Sequence, residues 1–238
     1  MNIFSWSVLV IFLSLVGYGL FSYLRIQGLI RESSILVRSS VPYTQVATPD
    51  TPKVLFVGDS TGVGVGATRP GDSVAGRLGA AYPEWNIENR SVSGRKTAEI
   101  LPTLRDLANE QYDTIVIQVG GNDIVYFSDL KQLEKDIASV LKEAKRVGGE
   151  VALLTSGNVG NAPLLPRPLA FLWEQRTLSV RGLFMEAARQ AGVTYVDLYR
   201  DDENDPFKLE PLRYHAVDLF HPSSDGYALW YESLKKVL

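Results

Sequence analysis

Two short segments hold the groups that nucleophilic chemistry needs. The first is "KVLFVGDSTGVGVGA", residues 53–67, with Ser60 at the point where an apolar run breaks into glycines. The second is "AVDLFHPSSDGY", residues 216–227, with Asp218 three positions before His221. A serine hydroxyl attacks poorly until a positioned imidazole takes its proton. The imidazole in turn needs a carboxylate on its other nitrogen, which fixes the tautomer and stabilises the imidazolium. Ser60, His221 and Asp218 supply these three types. The chain has two histidines, and the other, His215, has no acid three residues before it, so it reads as a surface or loop residue.

Acyl transfer also needs donors aimed at the oxyanion of the tetrahedral intermediate, each worth about 10²–10³ in rate. Gly94, in "NRSVSGRKT", offers a backbone N–H that a substrate can approach closely, because no Cβ intervenes. Asn122, in "VGGNDI", offers a side-chain amide, and Ser60 its own N–H. Blander roles exist for each. Ser60 and Asn122 could cap helices, and Gly94 could serve a turn. Asp59 and Asp123 are expected to organise their loops through backbone hydrogen bonds.

The glycines at 62, 64 and 66 raise a second reading, a cradle for a nucleotide phosphate, with Glu88 as the ribose-binding acid. The spacing is G-x-G-x-G-A rather than G-x-G-x-x-G, and the Lys-Ser/Thr of a P-loop is absent. That site would also leave Asn122 and the Asp218/His221 pair unexplained. The glycines are expected instead to keep the wall beside the serine small and pliable. A third reading is a membrane-tethered binding module without catalysis, since fold does not imply function; intact candidates for every catalytic role argue against it.

Strands and helices must bring these distant segments together. Apolar or β-branched runs predict strands at 53–58, 85–90, 113–119, 150–155 and 193–198. Helices are expected at 72–82, 97–110, 129–147, 168–191 and 223–237, the third with Leu, Ile and Val at three- and four-residue steps. Alternation of this kind implies parallel βαβ units and a three-layer α/β/α sandwich around a five-stranded parallel sheet. Ligands bind such sheets at the carboxyl ends of the strands. All four segments fall there.

The four segments together resemble the SGNH (GDSL-type) hydrolases, in order and in context, from about residue 53 to the end. Ser60 matches the serine of the first block, Gly94 the glycine of the second, and Asn122 the asparagine of "GxND". Asp218 and His221 match "DxxH". Thr61 departs from the pattern, which has Leu after the serine. The resemblance implies a flavodoxin-like fold and hydrolysis of esters or thioesters with no cofactor and no metal.

Bulk properties set limits. With 238 residues, a net charge of −3 and no cysteine, the chain offers no thiolate chemistry, no disulfides and no strong pull toward nucleic acid. Residues 3–24 carry no charge and as a helix would span roughly 33 Å, enough to cross a bilayer core. Their length and flanks favour an uncleaved anchor over a signal peptide. Arg25, Arg31 and Arg38 follow the run, which by the positive-inside rule places the domain in the cytoplasm. Residues 26–40 are expected to continue as an amphipathic helix, and the Pro/Thr-rich 41–52 as an extended linker. The expected division is therefore 1–25 anchor, 26–52 juxtamembrane segment and linker, and 53–238 hydrolase domain. After the fourth strand, 156–173 is unusually apolar. Leu164, Leu165, Leu169, Phe171 and Trp173 make it so, and part of the segment, Leu164 and Leu165 first, is expected to line an acyl pocket or to face the bilayer, the alternative being that these residues pack on the core. The expected partners are an acyl ester substrate and the membrane; oligomeric state is not encoded legibly.

Overall fold

The computed structural model describes residues 3–107 and 110–238. Positions 1–2 of the expected anchor and 108–109 of the helix expected over 97–110 lie outside it. Five strands form one sheet: β1 (Lys53–Gly58), β2 (Asn86–Asn89), β3 (Tyr112–Gln118), β4 (Gly148–Leu154) and β5 (Thr194–Val196). Their order is β2-β1-β3-β4-β5 and every pair is parallel. The helices are α1 (Ile3–Ser39), α2 (Ser60–Val63), α3 (Val74–Ala81), α4 (Leu101–Asp106), α5 (Gly121–Val125), α6 (Leu130–Val147), α7 (Ala170–Ala191), α8 (Pro206–Leu209), α9 (Pro211–Tyr214) and α10 (Ser224–Leu234).

The sheet is covered on both faces, which explains why its central strands read as unbroken apolar runs. Val54 and Phe56 face one layer, with Leu78, Tyr227, Trp230 and Leu234. Leu55 and Val57 face the other, with Leu104, Ile137, Leu141 and Phe184. Successive side chains of a strand point to opposite faces, so one four-residue run serves two cores. Each such side chain, once buried, contributes roughly 1.5–3 kcal/mol. On α6, Asp129 caps the start by accepting from the Gln132 N–H at 2.9 Å. The stripe Leu133, Ile137, Val140, Leu141, Ala144 and Val147 is its buried face.

The sequence placed the elements well, with differences at their ends. The helix expected from 97 is a 3₁₀ turn (Thr97–Ile100) followed by α4. The apolar N-terminal run continues into the segment after it, as expected, and the two form one helix, α1, ending at Ser39. Its length and apolar composition suffice to cross a bilayer, as they would for a signal sequence. Residues 41–52 are extended, yet they are stitched to the domain. Gln45 pairs with Ile87 of β2 through two backbone hydrogen bonds, 2.9 and 2.8 Å. Its side-chain amide donates to the carbonyls of Tyr82 and Trp85, 3.0 and 2.8 Å.

Candidate active site

The candidate residues converge at the carboxyl edge of the sheet. β1 ends at Gly58, packed so closely on β3 that a Cβ there would lie 2.0 Å from the Gln118 carbonyl oxygen. Asp59 then caps α2. Its carboxylate accepts from the Thr61 N–H at 2.8 Å and from the Thr61 hydroxyl at 2.7 Å. The departure from the family pattern at Thr61 thus adds a hydrogen bond that leucine could not make. Burial raises the Asp59 carboxyl to about 6, against the hydrogen bonds from Thr61 that pull it down. Ser60 is left at the first helical position.

The second segment folds onto the first. Asp218, Leu219, Phe220 and His221 form a tight turn with Leu219 at φ 55. That is left-handed backbone, uncommon for a non-glycine residue, and it marks a turn held by its surroundings. Asp218 Oδ1 holds it by accepting from the N–H groups of Phe220 (3.1 Å) and His221 (3.0 Å). The other oxygen, Oδ2, lies 2.6 Å from His221 Nδ1. His221 Nε2 lies 2.9 Å from Ser60 Oγ. Burial works to raise the Asp218 carboxyl. The His221 hydrogen bond and charge and the two backbone N–H groups outweigh it and hold the carboxyl below its ordinary value. Asp218 is fully buried, and Ser60 and His221 are 8% and 4% exposed, so water weakens this chain of contacts little.

Asn122 is tied to the segment that carries Gly94 by a second set of contacts. Asn122 Nδ2 donates to the Arg95 carbonyl at 2.9 Å, using one of its two hydrogens. Asp123 Oδ2 accepts from the N–H and hydroxyl of Thr97, 2.9 and 2.6 Å, the loop-organising part expected of it. Gly94 has φ 86, and a Cβ built on it would meet nothing within 4 Å. Neither the Ser60 nor the Gly94 N–H has a partner among the described residues.

Ser60 and His221 open onto a cleft walled by Asn122, Ser156, Asn158, Val159, Ala162 and Phe220, with Phe207, His215 and Trp230 below. Gly94 does not border it directly. Two buried polar atoms of the wall, Ser156 Oγ and Asn158 Nδ2, have no partner among the described residues.

Several expectations need correction. His215 lies in the loop after α9, one of its two expected places, but it is not at the surface. It is 6% exposed, stacks edge-on with Phe207 (5.1 Å) and sits 3.1 Å through Nδ1 from the Pro211 carbonyl. Burial lowers its imidazole to about 4, so it is neutral. Leu164 and Leu165 do not line the cleft. Leu165 packs into the core and the Leu164 N–H bonds the Leu219 carbonyl at 3.0 Å. Val159 and Ala162 take the wall position, a turn nearer β4. The glycine run is not a pliable wall either. A Cβ on Gly66, at φ 95, would lie 2.5 Å from the Pro222 carbonyl oxygen and 3.1 Å from His221 Cβ. Gly66 thus lets the histidine loop approach, while Gly62 and Gly64 pack closely on Ser91 and Ser73. Glu88 is engaged by the Tyr112 hydroxyl (2.6 Å) and by Arg90.

A doubly wound parallel sheet of order 2-1-3-4-5 is the flavodoxin-like class, with its ligand site at the carboxyl edge beside the first strand. Within that class, the chain belongs to the GDSL-like lipase/acylhydrolase family, whose model matches residues 56–229. It is 34% identical to esterase TesA of Pseudomonas aeruginosa over 115 residues, which cover 47% of this chain and 56% of that protein. The chain thus matches little more than half the length of this relative. The crystal structure of TesA superposes with a TM-score of 0.61 at 23% identity, covering 77% of this chain and 96% of that one. A G-D-S-L family protein of Veillonella parvula gives 0.63 at 17% identity, covering 79% and 98%. Axe2, an acetylxylan esterase of Geobacillus stearothermophilus, gives 0.57 at 20%, covering 81% and 95%. At these identities the superpositions speak for the fold.

Proposed function

We propose that this protein is a serine hydrolase of acyl esters or thioesters, with residues 53–238 as its hydrolase domain. The observation that carries the reading is the unbroken chain from Ser60 Oγ through His221 to Asp218, 2.9 and 2.6 Å. Ser60 Oγ attacks the acyl carbon while His221 Nε2 takes its proton. Asp218 holds the imidazole in the tautomer that leaves Nε2 free, and stabilises the imidazolium that forms. The developing oxyanion is met by the Ser60 N–H and the second amide hydrogen of Asn122; the Gly94 N–H, outside the cleft wall itself, is assigned as the third donor on the family pattern. Collapse expels the alcohol or thiol, which leaves with the proton from His221. Water then attacks the acyl-serine, gives its proton to His221, and frees the acid and Ser60. Side-chain and backbone groups carry every step.

Family membership and the esterase named among its relatives support the reaction class. Residues 1–25 would anchor the protein and 26–52 would connect anchor to domain, with Arg25, Arg31 and Arg38 favouring the cytoplasmic side.

The test uses the full chain in detergent with chromogenic acyl esters of graded chain length. Wild-type turnover is expected, and Ser60→Ala should lower it by at least about 10³-fold with an unchanged circular-dichroism spectrum. Equal rates in the two proteins would overturn the assignment.

A further inference from the structure

The helix that precedes the domain does not simply lead to it; it lies against it. Along α1, half-buried positions recur at Arg25, Ile26, Leu29, Ser33, Leu36 and Val37, steps of one, three or four that make one face. At the near end, the Arg25 guanidinium donates to the Pro163 carbonyl at 2.7 Å. At the far end, Leu36 and Val41 border a shared hollow with Gly64, Pro70 and Val217. Arg25 and Leu36 are separated by roughly 17 Å along the helix axis at about 1.5 Å per residue. If residues 3–24 cross a bilayer, the part of the domain at Pro163 is the part held nearest to it.

That near side carries exposed apolar side chains. Leu169 is 47% exposed and Phe171 56%, a few residues beyond Pro163. Next to them, Tyr126 and Phe127 close α5 at 64% and 48%. Trp173 joins the two groups: its ring meets Phe127 edge-on at 5.9 Å, and its indole N–H donates to the Val125 carbonyl at 3.4 Å. Cations stand beside the same rings, Lys96 5.6 Å from Tyr126 and Arg176 5.8 Å from Phe127. Aromatic and aliphatic side chains interleaved with Lys and Arg suit the headgroup boundary of an anionic bilayer. The patch also adjoins the cleft. α5 supplies Asn122 at its start and Tyr126 just past its end, and the wall residues Val159 and Ala162 precede Pro163.

We propose that the patch formed by Tyr126, Phe127, Leu169 and Phe171 is seated on the bilayer that α1 crosses, so that the cleft receives acyl esters lodged in that bilayer. This deepens the hydrolase reading and rests on it for the substrate, and on the membrane-spanning reading of α1 for the seat. The α1 contact fixes the level of the domain, and the patch fixes which side meets lipid. A substrate lipid then reaches Ser60 past Val159 and Ala162 without first leaving the membrane.

The chain contains no cysteine, so single labelling sites can be introduced without background. Full-length protein would be reconstituted in vesicles of phosphatidylcholine and phosphatidylglycerol containing spin-labelled lipid. An environment-sensitive fluorophore would be attached at Phe171→Cys, Tyr126→Cys, Val16→Cys or Glu84→Cys. Quenching at 171, 126 and 16 but not at 84, on the turn before β2, is the expected result. Quenching at 16 alone would overturn the seat while leaving the span in place. No quenching at 16 would remove the span and the proposal with it. As a second readout, Leu169→Ser/Phe171→Ser should lower turnover of a single-chain acyl ester lipid in vesicles by roughly three- to tenfold, at unchanged turnover of a short soluble ester. Equal loss on both substrates would also overturn the seat. The hydrolase reading is judged separately, by Ser60→Ala on the soluble ester.

Discussion

The turn that carries His215 and the turn that carries His221 lie six residues apart and feed the same cleft, yet they equip their imidazoles differently. Both rings are buried. His221 has a carboxylate on Nδ1 and a hydroxyl on Nε2. His215 has a backbone carbonyl on Nδ1 and the edge of Phe207 alongside. A carbonyl fixes a tautomer but cannot stabilise a full positive charge; a buried carboxylate does both. Burial alone therefore produces a neutral spacer at His215. At His221 the same burial, with Asp218 added, gives the ring the carboxylate partner that the proposed proton transfer requires.

The largest test of this contrast removes the partners one at a time. His221→Ala should lower kcat by about 10⁴-fold or more. Asp218→Asn should cost less, about 10²–10⁴-fold, because an asparagine Oδ1 can still accept the two backbone bonds of the turn while the charge is lost. Steady-state kinetics on one ester would rank them. Equal losses would mean that Asp218 alone orients the ring.

A smaller effect is expected from the glycine that admits the histidine loop. Gly66→Ala places a Cβ against Pro222 and His221, at a φ that alanine disfavours. The loop must shift. We expect roughly a ten- to hundredfold lower kcat/KM with the sheet intact, since misplacement of about 1 Å costs on that order. Unchanged kinetics would show that the loop tolerates displacement.

The smallest effect falls on stability, through His215. Its folded value of about 4 lies below the 6.5 of a free histidine, so its contribution to stability is full above pH 6.5 and is lost as pH falls toward 4. His215→Gln removes that loss. The variant should therefore gain on wild type by on the order of 1 kcal/mol per pH unit over that window, read from urea denaturation. Asp59 acts in the opposite sense. Its carboxyl, raised to about 6, contributes stability that is full below pH 3.8 and is lost as pH rises through 6. A difference between variant and wild type that stays flat with pH would mean that His215 is solvated and protonated as freely as in the unfolded chain.

The parts of this molecule that were legible in sequence are those set by local chemistry. Val54–Val57 announce a strand buried on both faces, and Asp218 with His221 announces a paired imidazole. The site blocks fall after strands, where a parallel sheet places its ligands. What escaped were consequences of how the chain packs once folded. His215 shows no local sign of burial, although Phe207 and Pro211 stand only eight and four residues before it, because they close on it only when α8 and α9 form. Leu165 and Ala162 are both apolar, and only the path of the chain after β4 decides which meets the cleft. Glycines 62–66 read as freedom when they serve closeness. Nothing in 41–52 signals that Gln45 will find Ile87.

That last pairing has a consequence for the sheet. β2 is an outer strand, and an outer strand leaves a row of N–H and C=O groups that can zip onto another chain. Gln45 occupies both groups of Ile87, and Asn86 is tied to Ala47 and Thr48 beside it. The extended 41–52 segment is thus also an edge guard. A form trimmed back to Lys53 would lose α1 and, in the same cut, uncover a template for self-association.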